Sequence, residues 1–151
     1  MKRNSQLAQA LHALIHMAER DGPMTSDEIA ACFDTNPVVV RRTMAGLREA
    51  GAVASGGGRG GGWKLQRPAA SISLLDVYRA IGEPEIFHVG PRAEVSPCLV
   101  DHAVGDAMGP AFEEAEQLLL KRLSEITLSD VAADFQRRAA RAKKGRRQHG
   151  T

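Results

Sequence analysis

The sequence predicts a mainly α-helical fold with one small β-hairpin, and three observations carry that reading. Apolar residues recur every three or four positions over 5–20, 37–50 and 111–126, the period of one helix face. Two short strand-like runs, Val53-Ala54-Ser55 and Trp63-Lys64-Leu65, flank the glycine-rich stretch GGGRGGG at 56–62. The chain is 43% hydrophobic but only 4% aromatic, which suits an aliphatic helical core. In order, these elements give a winged helix-turn-helix head over 1–82 and a loop over 83–97. Long C-terminal dimerisation helices follow over 98–140, and a basic disordered tail over 141–151.

The first helix covers 5–20, with Leu7, Leu11, Leu14, Ile15 and Ala18 on one face and Ser5 as its cap. Asp21-Gly22-Pro23 stops it. His12 and His16 stand at i, i+4, a spacing that can bind metal. Neither a third ligand nor an HExxH pattern accompanies them, and they read as partly exposed helix residues. A second helix starts at Thr25 or Ser26, where Thr25 with Glu28 forms a capping pattern, and turns Ile29, Ala30 and Phe33 inward with Cys32 as a core neighbour. Asp34-Thr35-Asn36 is a turn, and Pro37 fits the first position of a third helix. That helix puts Val39, Val40, Met44 and Leu47 toward the core and ends at Gly51.

Two short helices joined by a polar turn make a helix-turn-helix. A hairpin in a core would share that outline. Here Asn36, Arg41, Arg42, Thr43 and Arg48 place donors around the second helix of the pair. The glycines of 56–62 let backbone approach a phosphate, and Arg59 puts a cation at the loop tip, where a minor groove focuses negative potential.

Beyond the hairpin, Leu74, Val77, Tyr78 and Ile81 form a short helix introduced by Ser71-Ile72-Ser73. Residues 82–97, with three prolines and two glycines, read as an irregular loop. Helical pattern resumes at 98–107, and Gly109-Pro110 is expected to interrupt or kink it. Phe112, Ala115, Leu119, Leu123 and Ile126 then form an apolar stripe. A chain of 151 residues with a small head has little else to cover that stripe, so a homodimer is expected. Thr127 or Ser129 caps a last helix, with Val131 and Phe135 facing inward.

Charge is segregated. Residues 1–68 hold nine basic and six acidic residues, and 69–135 hold four basic and twelve acidic. Residues 136–151 hold seven basic and no acidic residues. Parts of the surface, rather than all of it, are therefore suited to a polyanion. No Ser-His-Asp or paired-carboxylate arrangement argues for an enzyme, and the five histidines are scattered. No secretory signal or membrane-length apolar run is visible, and only Cys32 and Cys98 are present, so a cytoplasmic location is expected.

With these elements placed, the chain from about residue 3 to 135 resembles the Rrf2-type transcriptional regulators. The residues that carry the likeness are ALHALIHMA, TSDEIAACFDTNPVVVRRTMAGLREAGAV, the GGGRGGGWKL wing and ISLLDVYRAIGEP. The resemblance implies a homodimer on double-stranded DNA, most simply a repressor answering a redox signal or a small-molecule effector. The helix-turn-helix and wing themselves are expected to place Asn36, Pro37, Val38, Arg41, Arg42 and Thr43 at a major groove and Arg59 at a minor groove, with Lys2 and Arg3 on phosphates. A protein-binding adaptor built on the same fold is the alternative.

Many members of that family hold an iron–sulfur cluster on three closely spaced cysteines before the dimer helix. This chain departs from the pattern, having only Cys98 in that region. Neither a cluster nor another metal is expected. Pro97 favours a helix start, which puts Cys98 at a helix N-terminus with His102 one turn on. Cys98 is then either a redox switch or a small structural residue.

Overall fold

The computed structural model describes residues 5–33, 35–86 and 97–148. Its core gathers around helix α1, Ser5–Glu19, whose Ala10, Ala13, Leu14, Ile15 and Met17 are all buried. Leu7 and Leu11 pack at the margin of that core. Helix α2, Ser26–Phe33, opens on a reciprocal cap: Thr25 N–H donates to Glu28 Oε2 at 2.8 Å, and Glu28 N–H donates to Thr25 Oγ1 at 3.1 Å. Ile29 and Ala30 of α2 are buried. Cys32 is exposed rather than a core residue, because the short α2 meets the core through Ile29 and Ala30 and Cys32 falls outside that face. The side chain of Phe33 lies outside the described residues.

Helix α3, Pro37–Glu49, has Pro37 in its first turn and buries Val40, Met44 and Leu47. It closes in a left-handed cap: Gly51 has φ +72°, its N–H donates to Arg48 O, and Ala52 N–H donates to Leu47 O. Val39 stays 43% exposed, contrary to its expected core position, since Val40, Met44 and Leu47 already fill the inner face.

Strands β1, Val53–Gly56, and β2, Gly62–Leu65, pair antiparallel in the register Val53↔Leu65, Ala54↔Lys64, Ser55↔Trp63 and Gly56↔Gly62. Met24 adds a bridge on the other side of β2, exchanging two backbone hydrogen bonds of 2.8 and 2.9 Å with Trp63. The Trp63 indole N–H also donates to Ser26 Oγ at 3.0 Å. The wing is thereby fixed to the entry of α2.

After a 3-10 turn, Ala69–Ser71, helix α4 spans Leu74–Ala80 behind a capping box between Ser73 and Asp76. Helix α5 runs unbroken from Leu99 to Glu125. Pro110 therefore sits inside a continuous helix instead of interrupting it; proline removes one backbone donor, and the flanking turns carry the helix across. Between α5 and the next helix, Leu74 N–H donates to Ile126 O and Leu128 N–H donates to Ile72 O, each at 2.9 Å. The exit of α5 is thus pinned to the entry of α4.

Helix α6 extends from Leu128 to Gln148, well past the expected end near 140. The stretch expected to be a disordered tail is helical as far as Gln148 because Arg, Lys and Ala are strong helix formers and carry α6 on past the turn in which Asp134 pairs with Arg137 and Arg138. Leu128 and Ala132 are buried and Val131 packs beside them. Phe135 is 43% exposed, not inward: at its level α6 has passed the core, and it borders an open groove with His16 and Cys32.

Candidate nucleic-acid interface

Helix α3 is positioned from three sides. Asn36 has extended backbone and its Oδ1 accepts from Val38 N–H at 2.8 Å, which fixes the first turn of α3. Gly46 lets α3 approach α4 so closely that a Cβ there would collide with the Ala80 carbonyl oxygen. Val40, Met44 and Leu47 hold the inner face. What remains outside is the face bearing Val38, Arg41, Arg42 and Glu49, all exposed. Thr43 lies at its edge, its hydroxyl donating to the Val39 carbonyl at 3.1 Å. Among the described residues, neither Arg41 nor Arg42 has an ion-pair partner.

The wing lies beside this face. One concavity is lined by Arg41 of α3, Ser26 and Asp27 of α2, and Ser55, Gly61 and Trp63 of the hairpin. At the tip, Gly61 N–H donates to Gly58 O at 3.1 Å, and Gly58 and Gly60 both have φ +80°. Those angles favour glycine, so the turn can only project the one residue between them. That residue, Arg59, is exposed. The structure thus brings Pro37, Val38, Arg41, Arg42 and Thr43 onto one helix behind its N-cap Asn36, with Arg59 on the adjoining hairpin. Lys2 and Arg3 lie outside the described residues.

Cys98 is the N-cap of α5 and is exposed. The amides of Asp101 and Val100 hold its thiol below the ordinary range. His102, one turn on, donates its N–H to the Cys98 carbonyl at 3.3 Å. Residues 87–96 of the preceding loop lie outside the described residues. The expected dimer stripe is partly turned toward the molecule itself: Phe112, Ala115, Leu119 and Leu123 are half-buried, and Leu123 packs against the core. The more exposed stripe is Val100, Val104, Met108 and Leu118, roughly a quarter-turn round the helix at 100° per residue. Sequence periodicity missed it because the exposed Ala111 fills the gap between Met108 and Leu118 and carries little hydrophobic signal. Ile126, 37% exposed, lies past the end of the helix.

A helix-turn-helix with an attached two-stranded wing and a long trailing helix defines the winged helix-turn-helix class. The chain matches the family model Rrf2, described as an iron-dependent transcriptional regulator, over residues 3–134. It is 35% identical over 131 residues to YwnA of Bacillus subtilis (strain 168), assigned by name to the HTH-type transcriptional regulators, covering 85% of this chain and 95% of that one. A crystal structure described as that of a DNA-binding protein shares 33% identity with a TM-score of 0.63, over 83% of this chain and 97% of the other. IscR of T. potens shares the fold at a TM-score of 0.65 and 22% identity, over 89% and 88% of the two chains. The chain belongs to the Rrf2 family, a family of transcriptional regulators rather than enzymes.

The residues present do not fit an iron–sulfur cluster. A cluster needs several thiolates, and the two cysteines of this chain sit on different elements, Cys32 on α2 of the head and Cys98 at the start of α5. Among the described residues, no three His, Cys, Asp or Glu side chains are grouped to hold a metal. Nor is any helix among them long and apolar enough to cross a membrane.

Proposed function

We propose that the protein is a homodimeric transcriptional regulator that binds double-stranded DNA and acts as a repressor. The observation that carries this reading is the outer face of α3, where exposed Arg41 and Arg42 adjoin a wing that projects Arg59. In this reading α3 enters the major groove with its N-terminal end toward the bases, and Arg59 enters the adjoining minor groove. The Val100, Val104, Met108 and Leu118 stripe of α5 pairs with its copy in a second chain, which doubles the site. Exposed Cys98, whose thiolate is favoured at its helix N-cap, is the candidate for the redox input, and a small ligand at the 83–97 loop is the other.

Fluorescence anisotropy on the DNA upstream of the protein's own gene tests this. If two heads together make roughly six to ten phosphate contacts, affinity falls about a thousandfold or more between low and physiological salt. Arg59→Ala weakens binding to all sequences, and Arg41→Ala costs about 1–3 kcal/mol on the operator and relaxes sequence preference. Parent-like binding by both variants would remove the assigned interface, and absence of salt-dependent binding would favour the adaptor. Cys98→Ser abolishes any change in affinity on diamide oxidation; an unchanged response would eliminate this thiol.

A further inference from the structure

Three consecutive valines open α3, and the core uses only one of them. Val40 is 4% exposed, whereas Val39 and Val38 are 43% and 64% exposed. A β-branched residue is a below-average helix former, so an exposed valine in a first turn adds nothing to folding that alanine would not. The two exposed valines differ in direction. Val39 borders a crevice against α1 with Gln9, Ala10 and Thr35. Val38 points away from Val40, Met44 and Leu47 and shares the outward ridge with Arg42 at i+4 and Arg41 at i+3.

An isopropyl group has no donor or acceptor and cannot read a base edge by hydrogen bonding. The apolar group that a base edge offers in the major groove is the C5 methyl of thymine. We infer that Val38 reads a thymine methyl, an assignment that rests on the proposed docking of α3 in the major groove. Arginine suits the O6 and N7 acceptors of guanine. Arg41 and Arg42 lie one helical turn, about 5 Å, further along α3, so the thymine falls about one to two base pairs from a guanine in each half-site.

The test replaces operator thymines one at a time with deoxyuridine, which removes the methyl and leaves base pairing intact. In the parent protein, one position per half-site loses about three- to fivefold in affinity, the effect of one buried methyl. In Val38→Ala the same position shows no preference between thymine and deoxyuridine, while the thermal midpoint is unchanged or slightly raised. A parent protein indifferent to deoxyuridine at every position overturns the inference and leaves DNA binding standing. So does a Val38→Ala variant that keeps the full deoxyuridine penalty, since another residue then makes the contact. Failure of the parent to bind any promoter DNA overturns the docking itself, and this assignment with it.

Discussion

His12 and His16 stack one turn apart on α1, with ring centroids 4.7 Å apart and their Nε2 atoms at 2.8 Å. At that distance one Nε2 donates and the other must accept, so the two rings cannot both be imidazolium without losing the bond. Burial, and then the charge of His16, hold the His12 pKa below its ordinary 6.5. The unfolded chain therefore takes up this proton first as pH falls. The stability linked to His12 is present above about pH 6.5 and is lost below it. The thermal midpoint is expected to fall between pH 7.5 and 5.5, and to fall less in His12→Gln; equal falls in both proteins would refute the linkage. The i, i+4 spacing was plain in the sequence. That the two rings stack on each other depended on rotamers that spacing leaves open.

Helix α3 shows how a packing constraint can outweigh intrinsic propensity. In an isolated helix Gly46→Ala would gain up to about 1 kcal/mol. Here the added Cβ would overlap the backbone carbonyl of Ala80, which cannot turn aside as a side chain tip could. The clash is expected to win, with a net loss of about 1–3 kcal/mol in urea unfolding and weaker operator binding as α3 shifts. A more stable Gly46→Ala protein would show that α4 yields. The wing gives a second element-level case. The alternation of Val53 to Ser55 and of Trp63 to Leu65 located the hairpin, but nothing marked Met24 as its third partner. A single bridged residue has no periodicity to read, and its role rests on two backbone hydrogen bonds to Trp63.

For the whole molecule, the question is how α5 divides its surface. Its half-buried side, through Leu119 and Leu123, faces the head, and Val100, Val104, Met108 and Leu118 face outward over several turns. An exposed apolar stripe of that length, with the small Ala111 between Met108 and Leu118, is what a second copy of the helix would cover. Multi-angle light scattering should give twice the 16.2 kDa chain mass for the parent and a shift toward monomer for Met108→Glu. The same substitution in a folded head should weaken operator binding by removing the second half-site. A monomeric parent at micromolar concentration would rule the seam out. The pinning of Ile126 and Leu128 to Ile72 and Leu74 ties this seam to the head by two hydrogen bonds, and α4 in turn packs on α3 at Gly46.

The order and type of the elements were legible in the chain, because Pro37, Gly51, Thr25 and the 56–62 glycines act locally, through backbone geometry and caps. The placement of Asn36, Arg41, Arg42 and Arg59 on a helix and an adjoining turn followed from the same local rules. Which apolar side chains are covered depended on packing in three dimensions. Val39, Cys32 and Phe135 carry the same apolar signal as core residues, yet burial depends on what another element has already filled. The length of α6 was hidden for the converse reason, since a stretch of Arg, Lys and Ala extended by propensity has no apolar period to announce it. Local conformation is fixed by neighbours in sequence, and coverage is fixed by neighbours in space.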